Sequence, residues 1–119
     1  MAYRIKFAVQ EDTLYASVQG KSSLAHAAWI GQDIAEQASA HAARRVLIDL
    51  RGLADRVGTL GALLLGPGGR RALERHQVGV LDVQENDSHY AFSEAGARAR
   101  GLTLRYFAQP SAALSWLRG

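Results

Sequence analysis

Hydrophobic and polar positions alternate from the start of the chain. Tyr3, Ile5, Phe7 and Val9 are interleaved with Arg4, Lys6 and Ala8, a period of two that predicts a half-buried strand. The polar corner Gln10-Glu11-Asp12 reverses the chain. Leu14, Ala16 and Val18 then alternate with Thr13, Tyr15, Ser17 and Gln19 up to Gly20, so the two segments read as an antiparallel hairpin. Here the period changes. After Ser22 or Ser23, either of which can cap a helix, Leu24, Ala27, Ala28, Gly31, Ile34, Ala35 and Ala38 fall on one helical face. That face is thin, which lets the helix approach a sheet closely. Gln32, Asp33 and Glu36 lie opposite, with Trp29 among them, and the helix is expected to end near His41–Ala43.

Next comes RRVLIDLRGL, Arg44 to Leu53. Val46, Leu47, Ile48 and Leu50 form a nearly continuous apolar run, the composition of a strand covered on both faces. The pattern then loosens. Thr59 to Leu65 can form a short helix that Gly66-Pro67-Gly68-Gly69 interrupts, and Arg70 to His76 resumes it. Val78 to Val83 reads as a fourth strand carrying Asp82. A helix capped by Asp87 or Ser88 follows, with Ala91, Phe92, Ala95 and Ala99 on one side and Gly101 at its end. Leu102 to Phe107 gives a fifth strand, and Pro110 opens a terminal helix in which Ala113, Leu114 and Leu117 share a face. The order β-β-α-β-α-β-α-β-α predicts an α/β fold with a mixed five-stranded sheet and about four helices. Arg45–Arg51 should lie inside the sheet, and helix-length connections imply that the last four strands run parallel.

Composition narrows this picture only slightly. The 119 residues make one domain, 1–119. There is no cysteine, so disulfides, thiolate metal sites and cysteine nucleophiles are excluded, in keeping with a cytoplasmic protein. No apolar run approaches membrane-spanning length. The net charge of +3 comes from residues that are all arginine except Lys6 and Lys21. Arg44–Arg45, Arg70–Arg71 and the Arg98/Arg100 pair are scattered and interleaved with acids, which argues against a nucleic-acid-binding face.

The element order, the VLIDLRGL strand, the following LGALL and the ending FAQPSAALSWLRG resemble the SpoIIAA-like, or STAS-like, domains. Classical members, the anti-sigma-factor antagonists, carry a phosphorylatable serine just before an LGALL-like helix start, in a pattern such as DSSGLGALL. Aligned there, this chain reads Arg56-Val57-Gly58-Thr59-Leu60-Gly61-Ala62-Leu63-Leu64. Gly58 stands at the acceptor position and has no hydroxyl, so the resemblance implies a domain without the usual phosphoswitch. Thr59 is a candidate displaced acceptor, but threonine at a helix start ordinarily serves as an N-cap, and that is the reading adopted. Ala113-Leu114-Ser115-Trp116-Leu117 matches the Ala-x-x-Trp-Leu ending of the branch that lacks the serine. For such domains the resemblance suggests an apolar ligand groove.

Catalytic signatures are sparse. His26, His41, His76 and His89 are spread over four segments without metal-site spacing, and no Gly-x-Ser-x-Gly elbow occurs. No metal or cofactor is expected. Asp49 and Asp82 fall toward the C-terminal ends of adjacent strands, where open α/β sheets often bind ligands, although pairing with a neighbour such as Arg51 is the simpler role. In the Gly66–Arg71 loop, Gly68 and Gly69 can form a backbone nest that, with Arg70 and Arg71, takes an anion. The plainer reading is a solvated basic turn. Trp29 on a charged helix face and the Leu63-Leu64-Leu65 run, too wide for one helical face to bury, are candidate contact surfaces. The sequence therefore points to a small non-enzymatic cytoplasmic domain that binds a partner protein, itself as a homodimer, or an apolar small molecule. The alternative is a small enzyme or anion sensor built on Asp49, Asp82 and the Gly66–Arg71 loop.

Overall fold

The structure, a computed structural model, describes residues 3–21, 24–54, 76–82 and 103–118. Strands β1 (Tyr3–Gln10) and β2 (Thr13–Lys21) are followed by helix α1 (Leu24–Ala40), then by β3 (Arg45–Ala54), β4 (Gln77–Leu81), β5 (Thr103–Phe107) and helix α2 (Pro110–Arg118). The expected helical segments within 59–76 and 87–101 lie outside the described residues, so the architecture seen is a mixed five-stranded sheet with two helices.

Sheet order follows chain order, β1-β2-β3-β4-β5, which puts β3 at the centre as its apolar run requires. β1 and β2 pair antiparallel across a two-residue turn, with Gln10 opposite Thr13. Tight hairpin turns need a positive φ, and Glu11 supplies it at 58°. The other three pairings are parallel, as expected of strands joined by crossovers.

Alternation along the strands divides the core in two. Leu14, Ala16 and Val18 of β2, Val46, Ile48 and Leu50 of β3, and Val78 and Val80 of β4 face α1, which contributes Ile30, Ile34 and Ala38. Ile30 belongs to this stripe although the small-residue pattern had not included it. The i, i+4 ladder Ile30–Ile34–Ala38 places it there. On the opposite face a smaller cluster of Leu47 and Leu81 packs against Ala113 and Leu117 of α2, with Tyr15, Phe107, Leu114 and Trp116 at its margin.

A bulge reconciles the two faces along β3. Ser17 pairs with Asp49 and Gln19 with Gly52, so Leu50 and Arg51 both stand against Val18. The extra residue reverses the parity of the strand, and Leu53 returns to the α1 side together with Leu50. Asp49 holds the bulge. Its Oδ1 accepts from the Arg51 backbone N–H at 3.0 Å, and its carboxylate is gripped by the Arg51 guanidinium through Nε (3.1 Å) and Nη2 (2.9 Å).

Both helices are fastened by backbone carbonyl partners. At the end of α1 the Ala43 N–H donates to Ala38 C=O (2.9 Å) and the Ala42 N–H to Ser39 C=O (3.2 Å), with Ala42 at φ 52°. This is a Schellman cap with alanine where glycine is usual. Near the end of α2, Gln77 of β4 donates its amide to the Trp116 carbonyl at 3.2 Å, satisfying one of the helix's terminal acceptors from the sheet beneath.

Candidate functional site

The sequence candidates fall at separate places. Trp29 projects from the outer face of α1, 62% exposed, among the exposed Gln32, Asp33 and Glu36. The helical period put it there, opposite the buried stripe. Thr59, Leu63, Leu64, Leu65 and the Gly66–Arg71 loop, with Gly68, Gly69, Arg70 and Arg71, lie outside the described residues.

Asp82 follows the last residue of β4, but Asp49 lies in the middle of β3, which continues to Ala54, so only one of the two carboxylates ends its strand. Asp49 pairs in register with Leu81, the residue before Asp82. Asp82 is buried, and its backbone N–H donates to Phe107 C=O at 2.9 Å. Burial pushes the Asp49 carboxyl up, but hydrogen bonds from the Arg51 side chain and backbone, with the charge of the guanidinium, outweigh it and hold the group below the ordinary carboxylate range. A carboxyl held in that way carries no proton to donate near neutrality, so the geometry uses Asp49 to set the bulge rather than to do acid–base work. Among the described residues no three His, Asp or Glu side chains gather as a metal site would need. No described helix is long and apolar enough to cross a membrane.

A cleft of about 290 Å³ opens at the other end of the sheet, where the parallel strands begin. It lies between the β1–β2 turn, the start of β3 and the last turn of α2, and Asp12, Tyr15, Arg45, Leu114, Leu117 and Arg118 line it. Asp12 organises this corner. Its carbonyl accepts from the backbone N–H groups of Arg44 (2.9 Å) and Arg45 (3.2 Å), and its Oδ2 accepts from Arg45 Nη1 at 2.6 Å. The sequence reading missed these residues. Asp12 read as turn chemistry and Arg45 as the edge of a strand. Only the register of β2 with β3, which sets Thr13 beside Arg45, brings them together.

The margin of the α2 cluster is aromatic. Phe107 and Trp116 meet with ring centroids 5.6 Å apart at 47°, and the Arg105 guanidinium lies 5.8 Å from the Phe107 centroid. The tilted Phe107–Trp116 contact fastens α2 to β5, an aromatic interaction of about 0.5–1.5 kcal/mol, while the Arg105 contact lies within β5 itself.

No family model matches the sequence, and no curated protein matches it. Solved structures do. An anti-sigma factor antagonist from Mycobacterium paratuberculosis superposes with a TM-score of 0.65 at 17% identity, over 98% of this chain and 95% of that one. An uncharacterized protein from Shewanella loihica with a SpoIIAA-like fold superposes with a TM-score of 0.60, also at 17% identity, over 98% and 93%. With a hairpin leading into parallel strands, β3 at the centre and matches over nearly the full length of both neighbours, this chain has the SpoIIAA-like, or STAS-like, fold.

Proposed function

We propose that this chain is a small non-enzymatic domain that binds a protein partner or a second copy of itself through the outer face of α1, with Trp29 as the anchor. The observation that carries this reading is the exposure of the Trp29 indole, 62%, on a helix whose opposite face is already spent on the core. Large aromatics are enriched at the centres of protein interfaces, where they supply contact area at little conformational cost. One neighbour of the same fold is named as an anti-sigma factor antagonist, a role directed at another protein, which supports the same class of function. An apolar small molecule is the other ligand this class admits. The reading places the domain in the cytoplasm. It operates without a serine phosphoswitch, because Gly58, which has no hydroxyl, stands at the acceptor position.

Trp29→Ala tests the proposal. The variant should remain folded by circular dichroism and shift toward smaller species in analytical ultracentrifugation. The expected loss is about 2 kcal/mol of binding, roughly thirtyfold in affinity. Unchanged association would remove α1 from the interface. Stoichiometric phosphate on Thr59 in protein from its own host, read by mass spectrometry, would refute the absence of a switch.

A further inference from the structure

We propose that the cleft at the start of β2 and β3 binds a small organic monocarboxylate, gripped by the Nε–Nη2 edge of Arg45 with its apolar body resting on Leu114 and Leu117. This site is built on different elements from Trp29 and stands independently of the function proposed above.

The first observation is an incomplete arginine. Arg45 gives Nη1 to Asp12, but its Nε is buried and makes no hydrogen bond among the described residues. A buried donor left unsatisfied is destabilising, and an acceptor supplied by a ligand would recover that loss. Tethering β3 to the hairpin accounts for Nη1 and for the two backbone N–H groups on the Asp12 carbonyl. It leaves Nε without a hydrogen-bond acceptor among the described residues.

The second observation is what the Nε–Nη2 edge of an arginine binds elsewhere in this same chain. Arg51 presents Nε and Nη2 side by side to the Asp49 carboxylate at 3.1 and 2.9 Å. Two parallel N–H donors match the two oxygens of a carboxylate, and Arg45 carries the same fork at the wall of an open cleft. Since the side chain of Arg45 is 31% exposed while its Nε is covered, a small rotation of the guanidinium is part of binding.

Charge and shape select the rest of the ligand. Arg45 and Arg118 are balanced by Glu11 and Asp12 around the cleft, so a dianion such as phosphate meets two carboxylates, whereas a single negative charge needs only the Arg45 fork. The cleft lining is mostly polar, and half-buried Leu114 and Tyr15, with buried Leu117 behind them, supply its smaller apolar part. The volume of about 290 Å³ gives ample room for a short branched acid.

Isovalerate is the probe, and ¹⁵N-resolved NMR of the full chain is the measurement, because an arginine Nε–H gives its own signal. Titration should move the Arg45 Nε–H resonance downfield and saturate, together with the backbone signals of Asp12, Thr13 and Tyr15. Arg45→Lys keeps a cation for Asp12 but loses the fork, and should weaken binding about tenfold or more. Arg118→Gln, at an exposed position, should weaken it only about twofold to threefold. Absence of a saturable shift overturns the proposal, and so does equal affinity in Arg45→Lys. If that variant does not fold, the Arg45 Nε–H signal of the unaltered protein decides alone. Inorganic phosphate binding as tightly as isovalerate would overturn the monocarboxylate assignment, and tighter binding of L-leucine would do so in favour of a zwitterion.

Discussion

The two faces of the sheet are built from the same strands to different ends. The face under α1 is aliphatic and closed: Leu14, Val18, Ile30, Ile34 and Ile48 are fully buried, each worth about 1.5–3 kcal/mol for its removal from water. Among the described residues the face under α2 is narrower. Leu47, Leu81, Ala113 and Leu117 form a small cluster whose two ends give way to polar chemistry, the Asp49–Arg51 pair at one and the Asp12–Arg45 cleft at the other. Among the described residues, the α1 face carries the larger core, and the face under the nine-residue α2 is where ligand-sized space and charged side chains meet. A sheet secured on one side has freedom to carry chemistry on the other.

Matched truncations test this difference most severely. Leu14→Ala, inside the α1 face, should destabilise by about 3–4 kcal/mol. Leu117→Ala, beside the cleft, should cost about 2–3 kcal/mol because its cavity opens toward solvent-accessible space. Urea denaturation monitored by circular dichroism reads both, and equal losses would erase the distinction.

Gly79 sharpens the comparison from within the α2 face. A Cβ there would sit 3.4 Å from Leu47 Cδ1 and 3.6 Å from Leu117 Cδ1, ordinary contact distances. Gly79→Ala should therefore be neutral or stabilising by up to about 1 kcal/mol. Gly79→Val adds branches where α2 already lies close, and should cost about 1–3 kcal/mol by lifting the helix. If valine is tolerated as well as alanine, α2 does not press on β4.

The α1 face has its own flaw, the alanine at the left-handed cap. Ala42→Gly relieves a conformation that L-residues adopt at a cost of about 1–2 kcal/mol. Set against the added freedom of glycine in the unfolded chain, the net gain should be about 0.5–1 kcal/mol in thermal or urea unfolding. A loss would show that Ala42 contributes packing that its exposed position does not suggest.

The smallest effect lies at the polar end of the α2 face. Because the folded Asp49 carboxyl is held below its unfolded value, its contribution to stability is present above the ordinary carboxylate range and is lost as pH falls through the folded value. Arg51→Ala should lower stability slightly at neutral pH and leave it nearly unchanged at the acid end, flattening the acid limb of the stability profile measured by urea midpoints across acidic pH. An unaltered acid limb would mean that the bulge amide alone holds Asp49.

Much of this was present in the one-dimensional pattern. Period-two alternation and the apolar run of Arg44 to Leu53 determined the hairpin and the central strand, because a strand covered on both faces has no polar positions to spare. The helical period determined that Trp29 faces away from the core, and Pro110 with Ala113 and Leu117 determined the docking face of α2. Tertiary structure alone decided the rest. The bulge at Leu50–Arg51, which makes Asp49 a structural carboxylate and returns Leu53 to the α1 face, exists only in the register of β3 against β2. The cleft likewise draws on Asp12, Arg45 and Arg118, which lie far apart in the chain, at positions where each alone reads as a turn residue, a strand edge and a helix end. Hydrophobic periodicity is local and survives in sequence, whereas the meeting of charged groups depends on which strand ends the sheet brings side by side.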